Sequence, residues 1–150
     1  MSHPIASPDE MASFLAFGPN TIPDRLARAV ETHQVVMIFC GLSSAEQHIE
    51  RVRFRVANGG HDIPESKIRE RWVGSRARLI RPLPHLAHIQ VFDNSAQAAP
   101  GESILNPVLV LEMIEDRLVF PDPGDAHALA KRPEWARPVL QAAIESESGK

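Results

Sequence analysis

The sequence predicts one α/β domain with a parallel sheet, flanking helices and a C-terminal β-hairpin. A continuous apolar run from Val35 to Cys40 follows a helical segment, which is typical of a strand buried on both faces of a parallel sheet. Two helical segments separate this run from a second apolar strand, and residues 108–120 have the pattern of two strands around a polar turn. A length of 150 residues with 43% hydrophobic residues fits a single core.

The first half of the chain alternates between helix and strand signals. Residues 1–22 are poorly patterned, because prolines in and just after this segment interrupt any long element. Residues 24–32 then show helical periodicity, and the apolar strand ends at Gly41. A second helix is predicted over residues 45–57, capped by Ser43 or Ser44. Its buried face is expected to consist of Ala45, Ile49, Val52 and Val56.

Residues 59–65, Gly-Gly-His-Asp-Ile-Pro-Glu, join that helix to the next one. The two glycines suit the left-handed backbone of a helix end. Pro64 suits the first turn of the following helix, and Asp62 and Glu65 have the spacing of a capping box. The side chains of this third helix that we expect to point inward are Ile68, Trp72 and Leu79.

The second half predicts a strand, a hairpin and a final helix. Prolines end the third helix, and residues 88–93 form the second predicted strand. Residues 108–113 and 117–120 form the hairpin, and residues 133–145 the last helix, with Trp135, Val139 and Leu140 buried. The domain is therefore expected over residues 23–145, with residues 146–150 as a disordered tail.

Positive charge is concentrated between Arg51 and Arg81. This block holds nine lysines or arginines against three acids, although the whole chain has a net charge of −3. Such asymmetry can mark an anion-binding region, and solvated helix faces also produce it. Nucleic acid is not the expected partner, because the block lacks the interleaved aromatic residues that stack on bases.

Other chemistries find little support in the sequence. Cys40 is the only cysteine, so an intrachain disulfide is impossible and a buried apolar role is expected. The seven histidines lack the spacing of a metal site, so no metal ligands are predicted. No apolar run approaches the roughly 20 residues that span a bilayer, and we expect no membrane association and a cytoplasmic location.

An ordered set of motifs resembles zeta-toxin-like P-loop kinases over residues 24–145, corresponding to the C-terminal half of that family. The resemblance implies a partial, adenylate-kinase-like parallel sheet. In this picture residues 59–65, the glycine joint, lie near a lid that closes over ATP. The tail 133–138 also resembles the family's ending. The motifs that carry the resemblance are Gly41-Leu42-Ser43-Ser44, Arg51-Val52 with Arg55-Val56, residues 59–65, Arg71-Trp72, and Val91-Phe92-Asp93-Asn94-Ser95.

The same resemblance implies an ATP site with magnesium. Guanidinium groups suit this role, because phosphoryl transfer spreads negative charge over oxygens that paired N–H donors can stabilise. Arg55 and Arg71 are the implied catalytic residues. The implied nucleotide-binding residues are Arg55, Gly59, Gly60, His61, Arg69 and Arg71.

The chain departs from the family in lacking its Gly-x-x-x-x-Gly-Lys-Ser/Thr phosphate loop. Residues 17–21, Phe-Gly-Pro-Asn-Thr, match only the start of such a loop. In the third predicted helix, which corresponds to the family's lid helix, Gly74 and Arg78 replace an expected arginine and asparagine. We therefore expect a kinase relative that is inactive alone, with a partner chain or a homodimer covering the open sheet edge and supplying the loop. The alternative is a non-catalytic interaction module or kinase remnant.

Several of these residues also have a purely structural interpretation. Arg51, Arg53 and Arg55 can pair with Glu46 and Glu50 on a solvated helix face. The imidazole of a histidine after two glycines often bonds its own turn. The pair at 93–94 can line a ligand crevice at the carboxyl end of the sheet or shape a turn, and the turn is favoured.

Overall fold

The computed structural model describes residues 22–99, 101–103 and 105–148. Helices and strands alternate in the first half, and a hairpin followed by two helices makes up the second. Short 3-10 turns lie at Leu83–His85 and Glu134–Ala136. The elements are α1 (Ile22–Val30), β1 (Val36–Gly41), α2 (Ala45–Ala57), α3 (Glu65–Ile80), β2 (His88–Asp93), β3 (Val108–Ile114), β4 (Arg117–Phe120), α4 (Ala126–Ala130) and α5 (Arg137–Ser148).

The four strands form one open mixed sheet in the order β1-β2-β3-β4. Strands β1 and β2 are parallel, whereas the β2–β3 and β3–β4 pairs are antiparallel. Both residues of the β3–β4 turn, Glu115 and Asp116, have positive φ angles of 50° and 62°, as a tight hairpin turn requires. The α/β class and the hairpin are confirmed, but the parallel arrangement is limited to one pair of strands.

The core lies on one face of the sheet. Ile89 and Val91 of β2 are almost fully buried there, and Met37 and Phe39 of β1 pack against the same cluster. Helix α5 contributes its buried stripe, and the inward positions predicted for Trp135, Val139 and Leu140 are confirmed. The other core residues are Leu79, Leu83, Leu86, Val110, Leu111, Met113, Leu118, Ala136 and Ala143.

The prediction that β1 is buried on both faces is wrong. Strand β1 lies at an edge of the sheet, and its side chains alternate between the core and solvent. Val36 and Ile38 are 58% and 66% exposed. Cys40 is exposed as well, so its expected burial is also wrong. A short apolar run does not reveal how many neighbours its strand acquires, and only the pairing decides this.

The predictions for the helix ends are confirmed in part. Ser44 caps α2 by accepting a hydrogen bond from the Gln47 backbone N–H, and Gly59 takes the left-handed conformation with φ 87°. The capping box predicted before α3 is wrong, because Pro64 occupies the N-cap position without a side-chain hydrogen bond. The Glu65 carboxylate instead accepts from Arg53 of α2.

The ends of the described chain adjoin the segments predicted to lack structure. Residues 1–21 lie outside the described part of the structure, as do residues 149–150, and Ile22 begins α1. Helix α5 continues through Ser148, so it includes the first three residues assigned to the tail. Within the described ranges, no helix combines the length and hydrophobicity needed to cross a bilayer.

Replacing Gly41 with alanine is expected to destabilise the fold. An alanine Cβ at this position would lie 2.2 Å from Cη2 of Trp135, so the ring would have to move. Overpacking of this kind costs about 1–3 kcal/mol, which urea titration of the free energy of unfolding would measure. Gly124→Ala is the matched control, since the nearest atom to its Cβ is the Asp122 carboxylate oxygen at 3.3 Å. Equal losses from both variants would contradict the packing argument.

Candidate functional site

A cavity of about 340 Å³ opens beside the carboxyl end of β1. Its walls are the last residues of β1, one face of α2, one face of α3 and the side chain of Trp135. Helices α2 and α3 pack against each other at this end of the sheet. The lining therefore combines residues that lie far apart in the chain.

Aromatic rings form much of the apolar lining. Phe39 and Trp135 pack with ring centroids 6.3 Å apart and an interplanar angle of 41°. Trp72 of α3 is half-buried, and its Nε1 donates a hydrogen bond of 3.1 Å to the Leu42 carbonyl oxygen. This bond ties α3 to the end of β1, so the ring has a fixed position. Val52, Ile63 and Ile68 complete the apolar lining.

Three arginines line the same cavity: Arg55 from α2, and Arg71 and Arg76 from α3. The guanidinium of Arg76 stacks over the Trp72 ring, 4.3 Å from its centroid. Among the described residues, neither Arg55 nor Arg71 forms a salt bridge. No aspartate or glutamate is among the described residues that line it. The cavity is therefore a concentration of positive charge that its own walls leave uncompensated.

The glycine joint positions Arg55. The Gly60 backbone N–H donates to the Arg55 carbonyl oxygen over 2.9 Å. A Cβ on Gly60 would lie 2.5 Å from Cγ of Arg55 and 2.9 Å from that oxygen, so no larger residue fits without displacement. The positive φ of Gly59 allows the chain to fold back in this way.

His48 of α2 also lines the cavity, on the same helix face as Val52 and Arg55. Partial burial lowers the pKa of its imidazole, and the nearby Arg51 guanidinium lowers this pKa further. The neutral form is therefore favoured at neutral pH. A neutral imidazole adds one hydrogen-bond donor and one acceptor to a lining that is otherwise cationic and apolar.

The remaining predicted site residues lie outside this cavity. Arg69 forms a salt bridge with Glu46 on an exposed surface of α2 and α3. His61 is exposed and is absent from the lining. Gly60 contacts the site through the backbone and stem of Arg55, whereas the Gly59 N–H donates to the Val56 carbonyl oxygen. The structure thus brings Arg55 and Arg71 together and leaves Arg69 and His61 elsewhere.

The residues after β2 shape a turn. The Asp93 carboxylate accepts hydrogen bonds from the backbone N–H of Ser95, at 3.0 Å, and from its hydroxyl. The Ser95 hydroxyl oxygen in turn accepts from the Ser43 backbone N–H at 2.8 Å. The Arg51 guanidinium donates to the Asn94 carbonyl oxygen. These contacts join the ends of the two parallel strands, so the favoured turn interpretation is confirmed.

The described residues include no group of three or more His, Cys, Asp or Glu side chains that could hold a metal ion. Magnesium needs oxygen ligands, and the cavity lining offers no carboxylate. A magnesium ion would therefore have to arrive with an oxygen-rich ligand.

Comparisons with protein-family models, with curated proteins and with solved structures find no match to this chain. The resemblance to zeta-toxin-like kinases stays a prediction that rests on the sequence motifs.

Sequence reasoning missed several polar or aromatic lining groups, among them His48, Arg76 and Trp135. Helical spacing carried a signal for two of them, because His48 lies seven residues before Arg55 and Arg76 lies four after Trp72. Each spacing places the pair on one helix face. Trp135 lies far away in sequence, and only the packing of the C-terminal segment brings it to β1.

We expect the stability of the protein to depend on the protonation of His48. Its folded-state pKa lies below the unfolded value of 6.5, so the unfolded chain binds the proton more tightly. The stability contributed by the neutral imidazole is complete above the unfolded pKa and is lost as the pH falls towards the folded one. Urea unfolding between about pH 7 and pH 5 should show a smaller loss for His48→Gln than for wild type. Parallel pH curves for the two proteins would contradict this assignment.

Proposed function

We propose that the cavity between α2 and α3 binds a phosphorylated nucleotide, ATP with magnesium, and that the chain is a kinase relative incomplete on its own. The observation that carries the proposal is the position of Arg55 and Arg71, two arginines without salt bridges on the wall of an aromatic cavity. The sequence resemblance to zeta-toxin-like kinases supports the same choice of ligand.

The chemistry of the lining suits such a ligand. Guanidinium groups bind phosphate oxygens through paired, charge-assisted hydrogen bonds, and three of them line the cavity. Clustered like charges are unfavourable in an empty site, so a polyanion gains affinity by relieving their repulsion. The aromatic lining offers apolar surface to a base. Magnesium would be carried by the phosphates, because no lining carboxylate is available.

Phosphoryl transfer would require a phosphate loop that these 150 residues do not contain. The sequence contains no Gly-x-x-x-x-Gly-Lys-Ser/Thr loop, whose backbone N–H groups and lysine would hold the β- and γ-phosphates. In this proposal a partner chain of different sequence supplies that loop, because a second copy of this chain would lack it as well. Arg55 and Arg71 would then act as the catalytic residues of this chain by stabilising the charge that develops on the transferred group.

Removing either cavity arginine should weaken nucleotide binding. A hydrogen bond to a charged group contributes about 1.5–3 kcal/mol, so Arg55→Ala and Arg71→Ala should each raise the Kd for ATP-magnesium about ten- to a hundredfold. Isothermal calorimetry at constant salt would measure the change. Arg53→Ala is the matched control, since Arg53 lies on the same helix and pairs with Glu65 away from the cavity.

Two results would reject the nucleotide proposal. The first is the absence of heat when wild type is titrated with ATP-magnesium to millimolar concentration. The second is an equal effect of Arg53→Ala and Arg55→Ala, which would indicate a general charge effect. Titrations with inorganic phosphate and with adenosine would show how the affinity divides between the arginines and the aromatic lining.

Gly60→Ala should weaken the same binding through Arg55. The added methyl group would displace the Arg55 stem or carbonyl, and the predicted loss of affinity is smaller than that of Arg55→Ala. Asn58→Ala is the control, because it lies in the same turn and keeps its backbone bond to the Arg55 carbonyl oxygen. In an Arg55→Ala background, Gly60→Ala should have little further effect. Additive losses would show that Gly60 acts independently of Arg55.

The second candidate function is a non-catalytic interaction module. It is favoured by the exposure of Val36 and Ile38 on the edge strand, since apolar side chains on an unpaired edge invite another chain to add a strand. Calorimetry separates the candidates, because an interaction module that retains no nucleotide site would give no ATP-dependent heat.

A further inference from the structure

One side of β1 has no strand partner among the described residues. Strand β1 pairs only with β2, and it lies at the end of the sheet order. Its six residues, Val-Met-Ile-Phe-Cys-Gly, include no charged residue and no proline. Edge strands of soluble proteins usually carry such residues, because they prevent unwanted strand addition. This edge lacks that protection.

The backbone groups available on the free side can be identified. The carbonyl oxygens of Val35 and Gly41 accept hydrogen bonds from Ala87 and Asn94, on the side of β2. Backbone groups alternate along a strand, so the odd-numbered residues between them also face β2. The N–H and C=O groups of Val36, Ile38 and Cys40 therefore point to the free side.

The opposite edge of the sheet is protected. Strand β4 has only four residues, begins with exposed Arg117, and pairs with β3 through an irregular register. Pro121 follows it directly and has no N–H to donate. The two edges differ in the features that discourage strand addition, which makes β1 the edge built to accept a partner.

We propose that this partner is a second copy of the chain, joined through antiparallel pairing of β1 with β1 about a two-fold axis at Ile38. In this register Ile38 pairs with Ile38 of the second copy, and Val36 pairs with Cys40 in both directions. Each of these is a hydrogen-bonded pair, because all three residues direct their backbone groups to the free side. Shifting the register by two residues would leave one of the three unpaired.

The side chains support the same partner. In this register Met37 opposes Phe39 on the core face, so every cross-strand pair along both faces is apolar. A two-fold axis normal to the sheet keeps the exposed side chains of both copies on the same face, which joins their apolar edges into one surface. Since the strand has no charge, a copy of itself meets no like-charge repulsion.

The neighbouring polar groups do not oppose this pairing. On the exposed face next to β1, His88 and Gln90 of β2 both bond the Glu112 carboxylate, at 2.6 and 2.8 Å. These groups satisfy one another within one copy, so they need no partner from the second. The dimer does not rest on nucleotide binding, and each of the two proposals can fail while the other holds.

Sedimentation of the purified full chain over micromolar concentrations tests the dimer. The expected result is a reversible rise from monomer to dimer mass, which Ile38→Lys abolishes by placing two like charges opposite each other. Val119→Lys is the matched control, because Val119 is 47% exposed on β4 at the far edge, and it should leave the dimer intact. Circular dichroism would confirm that both variants are folded.

A wild-type protein that stays monomeric at all concentrations would overturn the proposal. A folded Ile38→Lys variant that still dimerises would overturn it as well.

Disulfide trapping tests the register. Paired residues of antiparallel strands have Cα atoms about 5.5 Å apart, within disulfide reach, so Ile38→Cys in a Cys40→Ser background should form a covalent dimer on mild oxidation. In wild type the two Cys40 residues would be about 14 Å apart and should not cross-link. Val119→Cys in the Cys40→Ser background should remain a monomer under the same oxidation. Efficient cross-linking through Cys40 or through position 119, with none through position 38, would overturn the proposed pairing.

Discussion

The contact between Gly41 and Trp135 determines where the site lies. The Trp135 ring occupies the space that a side chain at Gly41 would fill, with ring atoms 2.2 to 2.6 Å from an ideal Cβ position. This close approach fixes the C-terminal segment against the end of β1. The Trp135 ring belongs to the core cluster and also forms an aromatic wall of the cavity. The aromatic wall of the cavity depends on this packing.

The cavity shows how the fold tolerates a cluster of positive charge. Two arginines outside the cavity form salt bridges, Arg53 of α2 with Glu65 and Arg69 of α3 with Glu46. Such exposed pairs contribute little stability, about 0–1 kcal/mol each. Their carboxylates lie on the outer surface, whereas Arg55 and Arg71 on the cavity wall form no salt bridge among the described residues. A site with this bias is suited to an anion, and the glycine joint holds one of its arginines in place.

The sequence predicted the helices more accurately than it predicted the environment of strand β1 and of individual arginines. The bounds of α2 and the inward positions of α5 followed from apolar spacing, because amphipathic periodicity reports one buried face directly. Strand β1 was misjudged, since a six-residue apolar run is compatible with a central strand or an edge strand. Of the arginines singled out from the sequence, Arg55 and Arg71 line the cavity, whereas Arg69 turns outward to Glu46. Spacing alone did not distinguish these faces of α3.

The sequence by itself determined the α/β class, the hairpin, and the presence of a basic helical pair joined by two glycines. These are local properties, set by side-chain periodicity and backbone freedom over a few residues. Only the tertiary structure decided that Trp135 meets Gly41, that Arg55, Arg71 and Arg76 share one cavity, and that β1 is an edge strand among the described residues. Those features join residues far apart in the chain, and their positions depend on which strands pair and which helix faces pack together.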